Sequence, residues 1–246
     1  MVKDEHFVPE AGLDLAPYLA RQDVGGVHHL IRYLWALECL SDLGGPGTVL
    51  DVACGSGYGA YEIARRFPEA RVVGADYDAP AVEEAATLYT LPNLEFRHGD
   101  VMRWEETIGP GSFRCVVTFD TIEHVPHREI MLQNLVDHLD DDGVVLLSTP
   151  CGRDENNLAP DWHAHRIEYS AGGLYDFLSR YFRTITRPED ENFPHRDVFD
   201  RLEGTGVNYW LKMNPVLCGA PVRIDNPYPR PRKPAAPRKP AAAPRR

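Results

Sequence analysis

Five cysteines (Cys39, Cys54, Cys115, Cys151 and Cys218) are spread across 246 residues with no Cys-x-x-Cys pair among them. The scatter excludes a paired-thiol framework and reads as reduced thiols, and neither Cys54 nor Cys151 stands in a Cys-His pattern that would mark a nucleophile. Long apolar runs are missing too. Nothing approaches the length of a membrane span, and the opening residues, Met-Val-Lys-Asp-Glu-His, are polar, so neither a membrane partner nor export is expected and the cytoplasm is the default location. Positive charge is scarce, with 26 Lys and Arg against 37 Asp and Glu and a net charge of −11. Seven of those bases, and no acid, fall in residues 229–246, so the rest of the chain carries −11 less those seven, or −18. Neutralising phosphates takes clustered Lys and Arg, so a body this acidic predicts no nucleic-acid partner. The basic end itself, PRPRKPAAPRKPAAAPRR, is rich in proline and alanine and carries no aromatic anchor. It is expected to be a disordered, solvated appendage covering residues 223–246.

What is present begins with a hydrophobic fraction of 43%, ordinary for one globular domain of this length. The most informative stretch is Val-Leu-Asp-Val-Ala-Cys-Gly-Ser-Gly-Tyr-Gly, residues 49–59, where an apolar strand meets an acid and then a glycine-rich turn. Gly55, Gly57 and Gly59 let the backbone approach a ligand, while Asp51 supplies a carboxylate at the strand end. The spacing is G-x-G-x-G, not the G-x-G-x-x-G of a dinucleotide site, and a carboxylate beside the glycines would repel a pyrophosphate. A ligand with a positive centre fits better. Three more strands follow at residues 71–75, 94–99 and 115–119, ending in Asp76, Asp100 and Asp120-Thr121-Ile122-Glu123-His124. Asp76 stands about 20 residues past the glycine turn, where an acid accepts from ribose hydroxyls. Polar residues at four strand ends place the site on the carboxyl edge of an open α/β sheet.

The segments VLDVACGSGYGA, VVGADYDAPAV, LEFRHGDV, VVTFDTIEHV and LDDDGVVLLSTP resemble, in order and spacing, the class I S-adenosylmethionine-dependent methyltransferases, particularly the small-molecule branch related to the ubiquinone-biosynthesis enzymes. Weaker similarity extends to HHLIRYLWA and to HAHRIEYSAGGLYDFLSRYF, so the resemblance covers about residues 28–185. It implies a Rossmann-like, doubly wound, seven-stranded α/β sheet, mostly parallel, whose last two strands make an antiparallel hairpin. It also implies S-adenosylmethionine as cofactor, leaving as S-adenosylhomocysteine, and methyl transfer to oxygen or nitrogen of a small organic acceptor. On the same resemblance Asp51, Gly55, Ser56, Gly57 and Gly59 hold the methionine end and Asp76 the ribose. Tyr77 packs on adenine, Asp100 accepts from the adenine amino group with Val101 beside the ring, and Phe119, Asp120 and Thr121 close the floor. Arg32 and Tyr33 match the basic and aromatic positions of the upstream helix, with Arg32 facing the cofactor carboxylate.

Residues 1–42 read as an arm and lid helix, the helix being periodic over 24–42, and residues 43–222 as the catalytic domain. Helices are expected at 59–67, 128–139 and 170–181, the last capped by Ser170, with further strands at 143–148, 184–187 and 207–213. The long segment 188–206 is an insertion placed to shape an acceptor pocket, with Tyr18, Tyr33, Trp35, Trp162 and Phe193 as candidate apolar walls. His124 and His165, the latter three residues before Glu168, are the candidate general bases. No metal site is expected, because convergent carboxylates around His163, His165, His195 and Asp161 are not visible. A non-catalytic cofactor-binding module and a carboxylate methyltransferase, which needs no base, are the alternatives. Monomer and homodimer are both compatible with the pattern.

Overall fold

The computed structural model describes residues 6–150, 154–205 and 213–223. The basic tail and Cys151 therefore lie outside the described residues, as do most of the strand expected at 207–213.

The seven strands β1 (Thr48–Val52), β2 (Arg71–Asp76), β3 (Leu94–His98), β4 (Phe113–Phe119), β5 (Leu139–Ser148), β6 (Phe182–Thr186) and β7 (Val216–Pro221) form one sheet in the order β3-β2-β1-β4-β5-β7-β6. The first five run parallel, and β7 is antiparallel to both β5 and β6. The expected doubly wound sheet with an antiparallel end is therefore present. Its order reverses between β1 and β4, and an open sheet of this kind has its crevice at that switch point.

Alternation along the strands decides what lies on each face, because successive side chains point to opposite sides. Val49, Val72, Cys115, Val117 and Leu146 pack with Leu30, Ile31, Trp35 and Leu40 of α2 (Val24–Asp42) and Ile63 and Ala64 of α3 (Tyr58–Arg66). Leu50, Val73, Val116, Val145 and Leu147 face Met131, Leu132 and Leu135 of α6 (Arg128–Asp137) and Leu174 and Leu178 of α7 (Ala171–Leu178). Asp23 caps α2 by accepting from the Gly26 amide at 3.0 Å, and Ser170 caps α7 by accepting from the Gly173 amide at 3.0 Å. The remaining helices are short: α1 (Ala16–Ala20), α5 (Trp104–Thr107) and α8 (Arg196–Asp200), apart from α4 (Ala79–Leu88), which begins with Pro80 in its first turn.

The last strand is a correction. It lies at Val216–Pro221, and Met213, inside the expected 207–213 strand, is helical. Asn214 takes φ +37° ahead of Pro215, so the chain turns there and the apolar run Val-Leu-Cys enters the sheet after it. The segment 188–206 carries α8 in its interior, and Phe193 and Phe199 bury against Trp35 of α2. Trp35 also donates from its indole nitrogen to the Pro194 carbonyl at 3.0 Å, so the segment packs on the helical layer.

Candidate active site at the carboxyl edge

Each central strand ends in a residue forced into left-handed backbone: Ala53 after β1, at φ +61°, and Asp120 after β4, at φ +51°. Neither is glycine, and such outliers persist only where surrounding contacts hold them. They turn the chain sharply upward on both sides of the crevice. Gly57, at φ +83°, then serves as the cap of α3, and a Cβ there would stand 2.6 Å from the Ala85 Cβ and 2.7 Å from the Phe96 ring. Gly59 meets the Tyr33 ring at 2.1 Å by the same measure. Close packing of α2, α3 and the turn thus requires bare backbone at both positions.

Asp51 is fully buried beneath this turn. The Tyr33 hydroxyl lies 3.1 and 3.0 Å from its two oxygens, and the Ala60 amide also favours its charged form. Burial nonetheless wins and pushes its carboxyl up to about 7. Asp76, at the end of β2, accepts from the Gly55 amide at 2.7 Å through one oxygen and from the Asp78 amide at 2.8 Å through the other. Each oxygen keeps a second lone pair for a donor hydroxyl. Asp100, beyond β3, accepts from the Met102 amide at 2.8 Å, and Val101 is half-buried beside it. The Tyr77 ring is 73% exposed at the rim, 6.1 Å from the His98 ring. A nucleoside with hydroxyls to donate and a flat base to cover Tyr77 fits this row.

Residues 6 and 7 lie over the same turn. Ser56 donates from its hydroxyl to the Phe7 carbonyl at 2.6 Å, His6 Nε2 is 3.2 Å from an Asp78 oxygen, and the Phe7 ring stacks on His29 at 4.8 Å. The sequence offered no signal for these contacts, which pair residues far apart in the chain.

Past β4 the character changes. Arg32, 2% exposed, forms an ion pair with Asp120 and donates to Ser148 Oγ at 3.0 Å and to His29 Nδ1 at 3.0 Å. Its charge is thus met by Asp120 within the chain. The guanidinium holds the Asp120 carboxyl below its usual range against the opposing effect of burial, while burial, then Arg32, lowers His29 to about 4 and keeps it neutral. Phe119 lies under the Arg32 guanidinium at 5.6 Å and edge-on to Tyr33, and Thr121 donates to the Phe119 carbonyl at 3.2 Å.

Glu123, His124 and His165 meet beside this pair, with one ligating atom of each within 4.8 Å of the others. Two backbone contacts and one side chain enforce the approach: the Arg166 amide donates to the Glu123 carbonyl at 2.7 Å, Asn157 and Glu168 exchange both backbone bonds, and the Arg166 side chain donates from Nε to the His124 carbonyl at 3.0 Å. Glu123 has no exposed surface. One of its oxygens accepts from Thr149 Oγ1 at 2.8 Å and the other has no hydrogen-bond partner among the described residues, while burial and Asp120 push its carboxyl well above the usual range. The sequence singles out His124 and His165 and passes over Glu123, whose partners come from segments 26 and 42 positions away. His195 lies elsewhere, 2.8 Å from Asp42 at the end of α2, and His163 stacks on Trp162.

Residues 49–143 match a family model described as a methyltransferase domain. Trans-aconitate 2-methyltransferase of Deinococcus radiodurans is 32% identical over 170 residues, which cover 69% of this chain and 62% of that protein. Malonyl-[acyl-carrier protein] O-methyltransferase of Bacillus cereus is 27% identical over 41% of this chain and 36% of its own length, so the chain spans less than two thirds of either relative. Among solved structures, the O-methyltransferase from a trans-AT polyketide synthase of Brevibacillus brevis, in complex with S-adenosylhomocysteine, superposes with a TM-score of 0.57 at 16% identity, over 87% of this chain and 80% of that one. Coclaurine N-methyltransferase, bound to N-methylheliamine and S-adenosylhomocysteine, gives 0.55 at 15% identity over 76% and 71%. The [4+2]-cyclase SpnF gives 0.52 at 14% identity over 74% and 79%.

Proposed function

We propose that this chain, whose residues 49–143 match a methyltransferase-domain model, is a class I S-adenosylmethionine-dependent methyltransferase that transfers a methyl group to oxygen or nitrogen of a small organic acceptor. The observation that carries the reading is the Asp76 carboxylate. It is nearly buried, fixed by two backbone amides at the switch-point edge, and retains acceptor capacity for a ribose diol. Gly55, Ser56, Gly57 and Gly59 would shape the bed of the methionine end, with Asp51, Tyr33 and Arg32 behind it. Tyr77, Asp100 and Val101 would flank the adenine, and Phe119, Asp120 and Thr121 the floor.

The bound cofactor brings an already activated methyl group on a sulfonium centre. The chain's own contribution is positioning, exclusion of water and, where the acceptor holds a proton, its removal. His124 Nδ1 lies 3.2 Å from the Ala164 carbonyl, and His165 Nδ1 lies 2.9 Å from a Glu168 oxygen. Both partners are acceptors, so in the neutral ring each Nδ1 would hold the proton, leaving Nε2 as the nitrogen of basic character.

Similarity to trans-aconitate 2-methyltransferase favours a second reading, methylation of an already ionised carboxylate. Full turnover in both His124→Ala and His165→Ala would select it. The primary test is calorimetric titration with S-adenosylmethionine and S-adenosylhomocysteine, followed by labelled-methyl incorporation across an acceptor series. One site per chain, weakened about tenfold or more in Asp76→Ala, is expected. An absence of binding heat with either compound overturns the proposal, and tight binding without turnover of any acceptor points to a non-catalytic module.

A further inference from the structure

The same edge carries a donor set that cofactor binding does not use, and an ion held there would occupy the imidazole lone pairs, so this site is an alternative to the general-base roles of His124 and His165. We propose that Glu123, His124 and His165 form a binding site for one divalent first-row transition-metal ion, with coordination positions left open toward the acceptor side.

Four observations support the site. The ligating atoms come from two segments that backbone bonds hold together, and they already lie within 4.8 Å of one another, with His124 Nε2 3.9 Å from a Glu123 oxygen. An ion held at about 2.1 Å from each ligand separates them by roughly 3–4 Å, so closure needs little more than side-chain rotation. The two imidazoles stand edge to face, with centroids 4.9 Å apart and planes at 77°. Each is oriented through Nδ1 by an acceptor, Ala164 for His124 and Glu168 for His165, which is how a ligating histidine is normally fixed with Nε2 toward its ion.

The fourth observation is the Glu123 carboxyl. It is completely buried, and Thr149 satisfies its first oxygen while the second has no hydrogen-bond partner among the described residues. A buried acceptor left unsatisfied is costly, and a cation at this point removes that cost. Two imidazole nitrogens and one carboxylate oxygen suit zinc, iron(II), cobalt(II) or nickel(II) rather than magnesium or calcium, which prefer all-oxygen sets. The bound ion leaves a net charge of +1 on the ligand set. It would therefore attract an acceptor bearing an anionic oxygen, although the ion binds whether or not methyl transfer occurs.

Cobalt(II) tests the site because ligation by imidazole and carboxylate changes its visible absorption. The untagged full chain, stripped with chelator and titrated with cobalt(II) in the absence of cofactor and acceptor, should bind one equivalent with a visible band stronger than that of the aqueous ion. His165→Ala, at a partly exposed position, and Glu123→Gln should each weaken binding about tenfold or more, while His163→Ala and His195→Ala should leave it unchanged. Magnesium should not compete. Absence of the band in the parent chain overturns the site, as does a band of unchanged affinity in a folded His165→Ala variant. Because the titration involves no cofactor, a failed methyl-transfer reading leaves this result standing, and the reverse also holds.

Discussion

The two halves of the carboxyl edge are built from different materials. On the β1–β3 side, Asp76 and Asp100 are fixed by backbone amides, those of Gly55 in the neighbouring turn and Asp78 for the first and that of Met102 for the second, and the glycine turn leaves backbone bare. On the β4–β5 side, side chains hold side chains across long stretches of sequence: Arg32 with Asp120 and Ser148, Glu123 with Thr149, and His165 beside His124. A site made by backbone tolerates variation around it and keeps one ligand. One made by paired side chains changes character with each substitution, which suits the part of an enzyme that chooses its acceptor.

Breaking the side-chain half should have the largest effect. Arg32→Met strands Asp120 and Ser148, and a loss of about 3–5 kcal/mol of folding stability is expected in urea titration. In the backbone half, Gly57→Ala adds a Cβ against Ala85 and Phe96 at φ +83°, for a loss of about 2–3 kcal/mol by the same assay. Asp51 separates the halves by pH. Its carboxyl is raised from 3.8 to about 7, so between those values the folded chain holds a proton that the unfolded chain has released. Stability should therefore fall as pH rises from about 4 to about 7 and level off above, with a slope of at most about 1.4 kcal/mol per pH unit. Unfolding of Asp51→Asn across that range should lack this component, and identical profiles would refute it. Asp76→Ala should cost about 1.4–3 kcal/mol of cofactor affinity, tenfold or more, with little change in acceptor preference. Tyr77→Ala is the mildest: with the ring 73% exposed, folding stability should move by less than about 0.5 kcal/mol, and only cofactor affinity should drop.

This contrast also explains what the sequence made legible. Strands β1 to β4 and their terminal acids are local patterns, since the apolar run and the acid that ends it stand side by side in the sequence, and Asp76 and Asp100 each find an amide two residues on. The glycine turn was readable for the same reason. Glu123 was not, because its meaning comes from Thr149 and His165, which reach it only through folding. The partnership of Arg32 with Asp120 was hidden likewise: a helix charge before the first strand shows nothing of an acid 88 positions on. β7 was misplaced because Val-Asn-Tyr-Trp-Leu-Lys-Met alternates more like a strand than Val-Leu-Cys-Gly-Ala-Pro, whose glycine and proline read as a turn. Pro221 is tolerated because it is the terminal residue of the strand.

The order β5-β7-β6 has a consequence for assembly. β6 reaches the sheet only through β7, which comes later in the chain. During synthesis from the amino end, β6 emerges with no neighbour to pair with, and its exposed amides wait on a strand still to be made. Docking of the final strand thus closes two seams at once, making completion of the sheet a cooperative, late event.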